Sequence, residues 1–170
     1  IEILAARGTS FQGFDEDQVA LWNSSWGSRQ VAVWNAAPAL SVVPGGFTRE
    51  DLGGLPFTRS ILYELEWDQA PVFQEALRER SALDREAGLG NNFVLTVWNG
   101  GIGTKAQTVL LRISAESRAA DSGPNAEARR AARQDYGQEW GRLSRIMSAS
   151  AKSVGIHMGV FRPELSFSPG

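Results

Sequence analysis

Ile61-Leu62-Tyr63-Glu64-Leu65-Glu66-Trp67 sets Ile61, Tyr63, Leu65 and Trp67 on one side of a period-two alternation and Leu62, Glu64 and Glu66 on the other. That is the pattern of a strand with one buried face. The period then changes. Asp68 can cap a helix whose first turn accepts Pro71, and Val72, Phe73, Ala76, Leu77, Leu83 and Ala87 recur at helical spacing until Gly88 and Gly90. Glu75, Arg78, Glu79, Asp84 and Arg85 fall on the opposite, solvent-facing side of this helix.

Working outward toward the C-terminus, Phe93 to Trp98 and Gln107 to Ile113 read as two strands. The glycines of Asn99-Gly100-Gly101-Ile102-Gly103 permit the reversing loop of a hairpin between them. After the polar break at Asp121-Ser122-Gly123-Pro124, one long helix is expected from Asn125. Its buried stripe runs through Ala128, Ala132, Tyr136, Trp140, Leu143, Met147 and Ala151. Val154 to Phe161 forms the last strand. The order from residue 60 is therefore strand, helix, strand, strand, helix, strand, a ferredoxin-like βαββαβ unit of the α+β class with helices on one face of an antiparallel sheet. Working outward toward the N-terminus, short β-like runs at Ile1 to Ala6, Val19 to Trp22, Val31 to Trp34 and Leu40 to Val43 alternate with Gly, Ser and Pro clusters. The expected organisation is a β-rich N-terminal extension over 1–59 and the α+β domain over 60–170.

Composition narrows the chemistry. Hydrophobic residues make up 42% of the 170 and charged residues 21%, enough to build a core. A net charge of −2 without a basic cluster argues against nucleic acid as a partner. The absence of cysteine removes disulfides, thiolate metal sites and a cysteine nucleophile. No run approaches the roughly 20 apolar residues of a membrane-spanning helix. The chain opens on Ile1, pointing to a removed leader or a trimmed start, so the expectation is a soluble protein, cytoplasmic or exported after leader removal.

The segment order, the hairpin carrying Phe93-Val94-Leu95-Thr96-Val97 and Val109-Leu110-Leu111-Arg112-Ile113, the amphipathic helix and the closing Phe161-Arg162-Pro163-Glu164-Leu165-Ser166-Phe167 together resemble the dimeric α+β-barrel superfamily. That superfamily includes NIPSNAP-like and antibiotic-monooxygenase-like proteins, and the closing string is similar to the C-terminus of bacterial members. The resemblance covers about 105 residues, from Leu62 to Phe167. It implies a homodimer or larger assembly whose sheets face each other, and a ligand pocket between each sheet and its own helices.

Two classes of function follow. The first is a non-catalytic binding or assembly subunit that self-associates through its sheet and a tryptophan-rich N-terminal arm, which could also meet a protein partner. The second, implied by the resemblance, is a small-molecule enzyme acting on an apolar or aromatic substrate, with Tyr63, Trp98, Arg112 and His157 lining its ligand site. His157 is the only histidine, so a multi-histidine metal site is excluded and no metal is expected. No cofactor is expected either, although relatives that hold haem through one histidine make His157, between Gly155 and Gly159, the one place for haem. Arg112 and Arg162, each in an apolar strand context, are expected to pair with Glu64 or Glu164. Gly100-Gly101-Ile102-Gly103-Thr104-Lys105 superficially matches a phosphate loop, but it joins two strands instead of opening a helix, so it reads as a hairpin.

Overall fold

The computed structural model describes residues 33–48, 50–91, 94–101, 104, 105 and 107–160, all within the compact unit Ala32–Arg162. Five strands are present there: β1 (Trp34–Ala36), β2 (Phe57–Leu65), β3 (Val94–Gly100), β4 (Thr108–Ala115) and β5 (Ala151–Val160). Four α-helices accompany them: α1 (Ala70–Glu86), α2 (Arg118–Ser122), α3 (Pro124–Ala132) and α4 (Gly137–Ala149). Every pairing is antiparallel and the sheet order is β1-β3-β4-β2-β5. Within it, β3-β4-β2-β5 is the strand order of a ferredoxin-like unit, with β1 added beside β3. The chain thus has the α+β, ferredoxin-like fold.

Period-two alternation assigns each face. Tyr63, Leu65, Leu95, Val97, Val109 and Leu111 are buried beneath the helices, where they meet Phe73, Leu77, Leu143 and Met147. Tyr63 packs against Phe73 with ring centroids 4.9 Å apart. The opposite face carries cross-strand rows, since residues directly opposite in an antiparallel pair share a face. One row is Thr96–Arg112–Ser60–His157, and the next is Trp98–Leu110–Leu62–Gly155.

Three local expectations are corrected. First, β2 ends at Leu65, and Trp67 is 75% exposed in the turn before α1 instead of extending the buried face. The turn closes because the Gln69 N–H donates to the Glu66 carbonyl at 3.1 Å, ahead of a helix with Pro71 in its first turn. Second, the helix expected from Asn125 is two helices, broken across Arg133 to Tyr136, with the short α2 ahead of it, and Ala151 begins β5. Gly137 and Gly141 weaken the helical run by roughly 1 kcal/mol each relative to alanine. Third, Asp84 is not on a solvent-facing side: it is 1% exposed. The N-terminal runs expected at 1–6 and 19–22 lie outside the described residues. Trp34 belongs to β1, and Val42 forms an isolated bridge with Leu95.

Candidate functional site

Helix α1 builds the site. Phe73, Leu77, Arg80 and Asp84 follow one another at steps of four, three and four residues, which keeps them on one face. The stripe is apolar over its first half and charged over its second, and all four residues are buried. Helix α4 and the turn before it bring Arg133, Tyr136 and Trp140 against that charged half. Arg133 donates from Nε to Asp84 Oδ1 at 2.9 Å and from Nη2 to Oδ2 at 2.6 Å. Tyr136 Oη donates to Oδ1 at 3.0 Å and Trp140 Nε1 to Oδ2 at 3.3 Å. An ionised carboxylate offers about four acceptor positions, so Asp84 is saturated.

Beside this carboxylate, sheet and helices line a partly open cavity of about 190 Å³. Its apolar wall is Ile61, Leu95, Leu111 and Ile113, with Trp140 across from them on the helical side. Its charged wall is Arg59, Arg80, Arg129, Arg133 and Asp84. Arg59 clamps the buried Asp121 through two bonds, Nε to Oδ2 at 2.9 Å and Nη2 to Oδ1 at 3.1 Å. Arg129 pairs with the same carboxylate at 3.2 Å and donates to the Asp121 carbonyl at 2.9 Å. The Trp140 ring takes guanidinium carbons from Arg133 at 4.0 Å and Arg80 at 5.1 Å from its centroid, both within cation–π range.

Burial shifts the ionisation of these groups. Desolvation lowers the pKa of Arg80, opposed by Tyr63 and Asp84, and lowers that of Arg129, opposed by Asp121. Tyr136 is pushed up to about 12, first by desolvation and then by the Asp84 charge it faces. A tyrosine whose folded pKa is raised favours the folded state fully below its unfolded pKa of about 10, and that contribution is lost as pH rises through the folded value. Between pH 10 and about 12 the protein should therefore lose stability that Tyr136→Phe does not lose, as read from urea midpoints measured every half unit. Parallel curves for the two proteins across that window would refute the assignment.

The comparisons with known proteins were made against this fold and site. No family model matches the chain, and no curated protein matches it. Two solved structures are similar in fold. One is an anthrone oxidase-like protein, 16% identical with a TM-score of 0.46, the match covering 64% of this chain and 45% of that one. The other is a dimeric ferredoxin-like protein from an uncultured marine organism, 14% identical with a TM-score of 0.45, covering 71% of this chain and all of that one. The chain spans less than half the length of the anthrone oxidase-like protein it matches. The likeness is one of fold.

The four residues expected to line a ligand site divide between the two faces of the sheet. Tyr63 lies beneath the helices, buried against Phe73 and interacting with Arg80. Trp98, Arg112 and His157 lie on the opposite face, with Ser60 between Arg112 and His157 in their shared row. Trp98 Nε1 donates to Thr96 Oγ1 at 3.1 Å. Arg112 does not pair with Glu64, which instead receives Lys105 Nζ at 2.6 Å, and the buried Arg112 Nε has no partner. Arg162 and Glu164 lie outside the described residues. His157 is exposed on β5, with its Nε2 where a side chain at Gly155 would come within 3.3 Å. His157 stands exposed on an edge of the described sheet and away from the cavity above, where no described residue forms an enclosed apolar slot for haem around it. Among the described residues no cluster of three or more His, Asp or Glu could hold a metal ion.

The expectations overlooked Arg80, Arg133 and Tyr136 as site residues, and Asp84 was placed on the wrong face. The signal was present in α1, because Arg80 and Asp84 continue the spacing of Phe73 and Leu77.

Proposed function

We propose that this chain is a non-catalytic binding subunit that takes a small organic molecule into the cavity between its sheet and helices. The observation that carries this reading is the cavity itself, a small volume with a continuous apolar wall on one side and buried guanidinium groups on the other. Apolar walls with a few placed polar groups are the usual make-up of a ligand site. The enzyme alternative, of the monooxygenase-like barrel kind, needs a group that exchanges protons near neutral pH. Among the described wall residues the charged groups are guanidiniums and Asp84, and Asp84 is occupied by four donors while its Tyr136 partner stays neutral to about pH 12. Such a wall recognises charge and does not transfer protons.

Native mass spectrometry of the gently purified protein, followed by thermal-shift measurements against a library of small aromatic and aliphatic fragments, tests the reading. A bound small molecule, or stabilisation by fragments that Ile113→Trp abolishes by filling the cavity, is the expected result. A protein that carries nothing and is stabilised by no fragment would end it.

A second observation favours self-association in addition. Val154, Ile156, Met158 and Val160 are 47%, 62%, 57% and 56% exposed along β5, which is an edge of the described sheet. We propose a second copy of this chain as the cover for that strand.

A further inference from the structure

Arg80 is the charge that the described interior does not balance. It is 7% exposed, and its Nε has no hydrogen-bond partner. The groups that hydrogen-bond it are neutral: Nη1 reaches Ser144 Oγ only at 3.5 Å, and Tyr63 is the other, while Asp84 acts on it through its charge and not through an ion pair. Asp84 lies four residues along the same helical face, but its acceptor positions are taken by Arg133, Tyr136 and Trp140. The ion pairs of the site therefore leave Arg80 over, since Arg133 pairs with Asp84 while Arg59 and Arg129 share Asp121.

An unmatched buried cation is costly, because desolvation removes water from a group that has gained no anion in exchange. Burial is also the leading influence on this guanidinium, and it opposes the charge. The cost is recovered if an anion enters the cavity that Arg80 lines. A guanidinium presents its N–H groups as a planar fork, the shape that a carboxylate accepts in two parallel bonds. Across the cavity, Ile61, Leu95, Leu111 and Ile113 offer nothing to a hydrophilic ion but suit an apolar body.

We infer that the cavity's ligand is a small organic carboxylate whose anionic end is received by Arg80 and whose apolar body lies on the sheet residues beside Trp140. This rests on the binding reading above and adds the charge class of the ligand and the residue that selects it. The cavity's volume of about 190 Å³ suits a single-ring or short-chain acid.

Matched probes decide it. Benzoate and phenylacetate are titrated against their uncharged isosteres benzamide and phenylacetamide, with inorganic phosphate alongside, by calorimetry at fixed ionic strength. The acids should bind about tenfold or more tightly than the amides, the advantage of a charge-assisted over a neutral hydrogen bond. Arg80→Met should abolish the preference while keeping residual amide binding, and Arg80→Lys should retain part of it. Removing the unmatched charge should also leave the melting temperature of the ligand-free protein unchanged or raised, whereas loss of a merely structural arginine lowers it. If Arg80→Met does not fold, the wild-type ratio of acid to amide and the Arg80→Lys variant still decide the matter. Amides that bind as well as the acids would overturn the inference and leave the binding reading standing. Phosphate binding without benzoate binding would overturn the organic carboxylate. If no probe binds while the fragment library does stabilise the protein, the carboxylate class is wrong; if neither binds, the binding reading falls with it.

Discussion

Asp84→Ala should cost about 3–5 kcal/mol of unfolding free energy, the penalty for breaking a buried ion pair from one side. For a chain of this size that corresponds to a fall of about 10 °C in melting temperature. The reason is local and additive. At 1% exposure, Asp84 takes two bonds from Arg133, one from Tyr136 and one from Trp140, so a single truncation strands four donors. It also removes the carboxylate that acts on both Arg80 and Arg133, leaving two guanidinium groups facing the same indole ring. The carboxylate joins α1 to the turn before α4, so its loss should loosen the helical wall of the cavity before the sheet. Hydrogen exchange should show this as lost protection over 133–143 with β2 and β4 still protected. The double variant Asp84→Leu with Arg133→Met, which removes charge from both sides, should recover much of the loss, because replacing a buried pair by apolar groups is often neutral. A single variant as stable as the parent, or a double variant no better than the single, would show that the network contributes little.

The fold was legible where one periodicity dominated. Strand β2 and helix α1 were readable from the switch between Leu65 and Val72, and the hairpin from glycines between two apolar runs. Boundaries were less legible because short-range contacts decide them. Trp67 continued the alternation on paper, yet the chain had already turned. The two helices after Gly123 looked like one because Ala128, Ala132, Tyr136 and Trp140 hold helical spacing across the break that the structure places between Arg133 and Tyr136. Misplacing Asp84 has a different cause. Charge on a helix is ordinarily charge in water, so Arg80 and Asp84 were outweighed by their residue type even though their positions continued Phe73 and Leu77. A buried pair is visible in a sequence only when its partners are known, and Arg133, Tyr136 and Trp140 lie about fifty residues away. On the other face, Arg112 was expected to find a carboxylate in Glu64. The register puts Arg112 opposite Ser60 and Glu64 opposite Thr108, four residues along β2, so Glu64 takes Lys105, on the loop between β3 and β4, instead.

Ile156→Asp should convert the native assembly to a monomer at concentrations where the wild-type protein is a stable dimer. In the described sheet β5 pairs on one side only, with β2, and between Ser153 and Val160 it carries neither an acidic nor a lysine or arginine side chain. Long edge strands are usually guarded by charge, proline or a covering element, because their unpaired N–H and C=O groups invite another strand. A strand that pairs antiparallel with its own copy generates a two-fold axis, so an edge of this kind is self-complementary without further design. It would extend the sheet across two protomers and bring Val154, Ile156, Met158 and Val160 of each copy into one apolar surface. Because the interface is symmetric, one substitution acts twice. Losing two buried isoleucines at about 1.5–3 kcal/mol each, with two carboxylates brought face to face, should weaken association by more than about a hundredfold. Val72→Asp is the control, since Val72 is 46% exposed on α1 and should leave the assembly intact. Light scattering over a dilution series reads both variants. A wild-type chain that is monomeric at all concentrations would refute self-association outright, and a dimer indifferent to Ile156→Asp would move the interface from β5 to the sheet face that carries Trp98, Leu110 and Leu62.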